Sequence, residues 1–165
     1  MSKPRLIYFD FAGSRGEECR IALHLAGIDF EDVRVKRGDW PAMKADMPFG
    51  RLPVLEIPGE VPLAHSNAIL VFVGRQHRLH PADAFEAARH EALMCAVEEL
   101  RDTMTPALRI TDPEQKRQAR EETQQRPTNA RERLMNAQTD MVRQPRCSFH
   151  NRAARSEATG GRPQP

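Results

Sequence analysis

Apolar residues fall in short clusters separated by charged or turn-forming residues, and their period changes along the chain. Arg5, Leu6, Ile7, Tyr8 and Phe9 form a run that predicts a short buried strand. Asp10 to Gly16 reads as a turn. From Arg15 or Gly16 to about Ala26 the spacing turns helical, with Ile21, Ala22, Leu23 and Leu25 on the apolar side and Gly27 as the stop. Phe30 to Val35 alternates apolar and charged residues, which predicts a half-exposed strand. Asp39 can cap a short helix holding Trp40, Met43 and Lys44. A strand over 52–57, a turn at Pro58–Gly59, a brief strand near 62–64 and a helix from Ser66 to about Gln76 follow.

The order strand, helix, strand, helix, strand, strand, helix implies a parallel pair with a right-handed crossover and a closing antiparallel hairpin. This is an α/β, thioredoxin-like βαβαββα arrangement. Pro53 cannot donate to a ladder, so it marks an edge or the start of its strand, and Leu52–Pro53 is a candidate cis bond. Ser66 stands where a helix N-cap is expected, so a hydroxyl and free N–H groups would meet there, a ready site for a carboxylate. Extended backbone at Leu52 beside that helix start suits a small peptide. The same residues also read as an ordinary strand, turn and helix.

His80–Pro81 marks a boundary. Beyond it Phe85, Ala88, Leu93, Ala96, Val97, Leu100, Met104 and Leu108 recur every three or four residues, predicting one long helix over 82–108. Asp112 and Pro113 open a very polar helix reaching Glu122. Residues 1–80 thus read as one domain and 82–122 as part of an all-α domain. Residues 123–165 keep no period and hold no Lys, so they are expected to be disordered.

Composition narrows the function. The net charge of +2 divides into about −3 for residues 1–122 and about +5 for 123–165, so only the tail is basic and nucleic acid is not the expected partner. No run approaches a membrane span or a signal-peptide core, so a cytoplasmic protein is expected. Cys19, Cys95 and Cys147 form no CxxC, and the six histidines lack ligand spacing, so no metal is expected.

Three stretches, LIYFDFAGSRGEECR (6–20), DWPAMKADMPFGRLPVLEI (39–57) and HSNAI (65–69), resemble the glutathione S-transferase family in this order and spacing. The likeness is strongest to the sigma class, with the alpha and mu classes as relatives, and covers residues 4 to about 110. It implies glutathione as co-substrate and Tyr8 as the catalytic tyrosine, its hydroxyl hydrogen-bonding the glutathione sulfur. Lowering a thiol pKa of about 8.5 by about two pH units takes roughly 2.7 kcal/mol, the order of a charge-assisted hydrogen bond. Arg15 matches the arginine that supports the thiolate, across a one-residue insertion. Trp40 and Lys44 match residues that bind the glycyl end. Arg51 stands where relatives carry Lys or Gln. Leu52, before a cis Pro53, matches the backbone that pairs with the cysteinyl unit, and Ser66 the residue that takes the γ-glutamyl carboxylate. His65 replaces the Gln or Glu expected before that serine.

From the residues alone, Tyr8 reads as a core tyrosine, Trp40 as a packing residue, and Arg15 and Arg20 as a solvated helix face. Cys19 lies about a turn too far into its helix for a cysteine nucleophile and reads as a packed thiol. Relatives lend an acidic residue from the long helix to a neighbouring subunit, which implies a homodimer. Here the matching run is VEELRD (97–102), where Glu98 reads rather as a charged helix face.

Past Glu122 the resemblance fails. The Arg-, Gln- and Pro-rich tail has the composition of a shifted reading frame in a GC-rich gene, and the helical domain is expected to be incomplete. Two functions follow: a transferase joining glutathione thiolate to a small electrophile, or a glutathione-binding module with little or no turnover.

Overall fold

The structure is a computed structural model and describes residues 2–125 together with positions 132, 135, 136 and 139. The expected disorder of 123–165 therefore lies almost wholly outside the described residues. Four strands, β1 (Arg5–Phe9), β2 (Glu31–Val35), β3 (Val54–Glu56) and β4 (Leu63–Ala64), form one sheet in the order β2-β1-β3-β4. β1 runs parallel to β2 and antiparallel to β3, and β3 is antiparallel to β4. The helices are α1 (Ser14–Leu25), α2 (Trp40–Met43), α3 (Ser66–Gln76), α4 (Ala84–Arg109) and α5 (Pro113–Gln125), with 3-10 turns at Lys44–Asp46 and Pro48–Gly50. The thioredoxin-like order predicted from the residues is the order observed.

Side-chain alternation along β1 divides the core into two layers. Leu6 and Leu55 pack with Cys19 and Leu23 of α1 and with Ile69 and Val73 of α3. Ile7 and Val54 turn the other way, with Val35 and Ala64, against Trp40, Met43, Met47 and Leu52. Apolar burial on both faces makes β1 the spine of the sheet.

Local signals set most element ends. α1 stops in a Schellman turn: Gly27 takes φ 67°, its N–H donates to the His24 carbonyl at 3.0 Å, and the Ile28 N–H donates to the Leu23 carbonyl at 3.0 Å. The Asp83 carboxylate caps α4 by accepting the N–H of Glu86 at 2.9 Å, and Asp112 caps α5 through the N–H of Gln115 at 2.8 Å. Two expectations need correction. Asp39 stands at the N-cap of α2, but its side chain makes no capping bond. Ser66 is the first helical residue of α3. The N-cap is His65, whose φ of 70° turns the chain and whose carbonyl accepts the Ile69 N–H at 3.1 Å.

At one end of the sheet Arg5 pairs with Glu31 of β2 at 3.1 Å and with Glu56 of β3 at 2.7 Å, tying three strands together. The chain divides into two compact units, one through Cys95 and one from Ala96, so the division falls within α4. In the second unit α5 is mostly exposed over 113–122, as its polarity predicts, and Arg117 bridges Glu114 and Glu121 along it. Glu98 pairs with Arg101 one turn on at 2.6 Å, both side chains half-buried. Among the described residues no helix is long and apolar enough to cross a membrane, and no group of three or more His, Cys, Asp or Glu could hold a metal ion.

Candidate functional site

Strand register gathers the candidate residues at the sheet end opposite Arg5. β1 pairs Ile7 with Val54, and β3 pairs Val54 with Ala64. One step further, the same registers bring Tyr8 level with Pro53 and Pro53 level with His65. The last juxtaposition is fastened by a backbone hydrogen bond, the His65 N–H donating to the Pro53 carbonyl at 3.3 Å. The Leu52–Pro53 peptide is cis. Leu52 lies ahead of β3, outside the ladder, and packs on the Ile7–Val54 layer. Ser66 is 4% exposed in the first turn of α3, where helix N–H groups lack partners within the helix.

Tyr8 is 5% exposed and shares the Leu6 face of β1. Phe9 stands edge-on to its ring and Phe11 is tilted beside it, each with centroids 5.6 Å away. The first turn of α1 closes over the ring: a Cβ at Gly16 would lie 2.0 Å from Tyr8 Cδ1. No other residue type allows that approach without moving the ring. Arg15 precedes it, half-buried.

On the opposite face, half-buried Trp40 meets Phe9 in a T-shaped contact at 5.5 Å, so it is linked to Tyr8 through one intervening ring. Lys44 is exposed beyond α2, with its side chain against Gly50, and Arg51 follows, exposed and extended. Exposed His65 lies against Phe49, ring centroids 5.2 Å apart. The structure thus joins Tyr8, Pro53, His65 and Ser66 at one sheet end, and Trp40 and Leu52 on one layer behind it.

Sequence reasoning missed Arg20. Expected on a solvated face, it is 8% exposed. Its Nε donates to both Asp32 carboxylate oxygens at 3.0 and 3.1 Å, and its Nη1 to Glu17 at 3.0 Å. Burial alone would pull its pKa down, but hydrogen bonds and charge from Asp32 and then Glu17 outweigh burial and raise it above the ordinary arginine value. Glu17, one turn before Arg20, was the legible half of this cluster. Asp32 sits on another element, so only the fold reveals it. Cys19, by contrast, is the packed thiol expected: fully buried, with desolvation pushing its pKa up to about 12 against a weaker downward pull from Arg20.

A buried phenol at a strand end, an extended segment outside the ladder and a helix N-terminus thus lie at one end of the sheet. Residues 4–75 match the family of the glutathione S-transferase N-terminal domain. The chain is 31% identical to a solved Caenorhabditis elegans nematode GST, with TM-score 0.62, covering 78% of this chain and 68% of that one. It belongs to the glutathione S-transferase family. It is also 42% identical over 110 residues to glutathione S-transferase 1 of Ascaris suum, covering 67% of this chain and 52% of that protein. The solved glutathione S-transferase of Ascaris lumbricoides is 41% identical with TM-score 0.59, over 65% of this chain and 51% of that one. The chain spans about half or less of the length of the curated relatives it matches.

Proposed function

We propose that the chain binds glutathione at the Tyr8 end of the sheet and transfers it, as a thiolate, to small electrophiles. The single observation that carries this reading is the register that sets Tyr8, Pro53 and the start of α3 level with one another. Tyr8 donates its phenolic hydrogen to the glutathione sulfur and favours the thiolate, with Arg15 adding positive charge at the start of α1. The Leu52 backbone pairs with the cysteinyl unit beside Pro53. Ser66 and the N–H groups of α3 take the γ-glutamyl carboxylate, with His65 adjacent. Trp40, Lys44 and Arg51 hold the glycyl end, Lys44 through its carboxylate.

Residues 1–80 form the glutathione-binding domain in this reading, and the helices after His80 form part of the second domain. The sigma-like run around Tyr8 and the pattern at Trp40–Lys44 support a tyrosine-type, sigma-like transferase. A cytoplasmic homodimer engaged in detoxification fits that class.

Retention of the full chain on immobilised glutathione, paired with conjugation to an electrophilic aryl halide, tests the reading. Retention with turnover supports the transferase. Retention without turnover makes the chain a glutathione-binding module. Absence of retention, with Tyr8→Phe behaving as wild type, removes the site assignment.

A further inference from the structure

Arg20 has chemistry that the transferase reading leaves unused. A guanidinium this deep is costly unless its hydrogen bonds are met. Two carboxylates meet part of this demand: the Nε–H is shared between both Asp32 oxygens, and Nη1 donates to Glu17. Asp32 is itself held from the other side by Arg34 Nε at 2.8 Å. The remaining nitrogen, Arg20 Nη2, is buried and takes no hydrogen bond among the described residues. What the guanidinium does face is the Tyr8 ring, its Cζ lying over the ring 5.9 Å from the centroid. That is within the range in which a cation is attracted to an aromatic quadrupole.

Helical spacing explains how one turn of chain delivers two constraints. Gly16 and Arg20 are four residues apart and so share a face of α1. Gly16 brings the helix backbone onto the ring. Arg20 reaches past it to β2, the strand parallel to β1, and anchors on Asp32, which is paired in register with Leu6. An ion pair serving stability alone could sit anywhere along this helix–strand seam. This one is placed where its cation bears on the ring of the only tyrosine in the chain.

We propose that Arg20 is a positioning residue for Tyr8: clamped by Asp32 and Glu17, its guanidinium holds the phenol ring against Gly16 and thereby sets how strongly Tyr8 stabilises a bound thiolate. The inference rests on the role given to Tyr8 above. The planar guanidinium is essential, because its Nε–H bond to Asp32 and its Nη1–H bond to Glu17 together fix its plane, and an ammonium could not do so.

Ultraviolet titration of the thiolate of glutathione bound to the full chain tests this, with folding followed by circular dichroism. Arg20→Met is expected to raise the apparent pKa of the bound thiol by about one unit, a roughly tenfold loss of thiolate at lower pH. Glutathione affinity above that pKa should change less than about twofold, a split that simple loosening of the fold would not produce. Arg20→Lys keeps the charge and lacks the planar guanidinium that bonds Asp32 and Glu17 at once. It should show a rise of the same sign. In a Tyr8→Phe background neither change should move the titration further, because the effect passes through the phenol. A folded Arg20→Lys chain that titrates like wild type overturns the inference while leaving the Tyr8 reading intact. A wild-type chain that binds glutathione without lowering its thiol pKa overturns both.

Discussion

Gly16 lies so close to Tyr8 that a Cβ there would stand 2.0 Å from Cδ1 and 2.4 Å from Cγ of the ring. The helix backbone, not a side chain, is therefore the wall against which the phenol rests. Gly16→Ala must displace either the ring or the first turn of α1. A loss of about 1–3 kcal/mol in stability is expected from such overpacking, with weaker thiolate formation in bound glutathione. Denaturant unfolding and thiolate titration check both, and a variant that matched wild type in both would mean the contact is looser than the structure has it.

Tyr8→Phe removes the hydroxyl and keeps the ring, so packing against Phe9, Phe11 and Gly16 should survive. Losing one hydrogen bond to a charged group costs about 1.5–3 kcal/mol, or roughly ten- to 150-fold in turnover near neutral pH. The deficit should shrink as pH rises toward the pKa of free glutathione. A pH–rate profile of the conjugation reaction reads this directly, and a deficit constant across pH would point away from thiolate stabilisation.

Cys19 makes alkaline stability a reporter of the core. Burial pushes its thiol pKa up to about 12, well above the ordinary thiol range. Burial of the neutral thiol thus contributes fully below about pH 9, and the contribution fades as pH climbs through 12. Cys19→Val should flatten the fall in stability over that window by an amount on the order of a few kcal/mol. Urea midpoints for the two proteins from neutral to alkaline pH measure the difference. Parallel curves would show that another group controls the alkaline transition.

Gly27 tests the backbone alone. Its φ of 67° favours glycine, and no atom lies within 4 Å of a Cβ placed there. Gly27→Ala should cost about 1 kcal/mol through conformation only, lowering the melting temperature and leaving glutathione affinity unchanged. A changed affinity would tie the end of α1 to the site, contrary to its place at the far end of the helix.

The sheet order was legible because β1 is a continuous apolar run, β2 alternates, and Pro53 marks where a ladder can begin. Strand ends were less so: β3 is only Val54–Glu56, shorter than its apolar run, because Pro53 cannot donate and Leu52 turns to the layer behind the sheet. Ser66 looked like a cap because its side chain suits one. The deciding quantity was the left-handed backbone of His65, which side-chain type alone does not encode. Tyr8 could be picked out by its motif, whereas Arg20 could not be told from a surface arginine until Asp32 was brought beside it. Gly16 read as punctuation between strand and helix, and only the fold turns it into a contact.

Arg5 grips β2 and β3 at the sheet end about three residues, or roughly 10 Å, from Tyr8. Each pair is exposed and worth at most about 1 kcal/mol. Their placement gives the sheet a handle and a mouth. A dye, a tether or a purification tag joined near the handle would leave the volume around Tyr8 untouched, which makes that end the natural place to hold the protein while its ligand is watched.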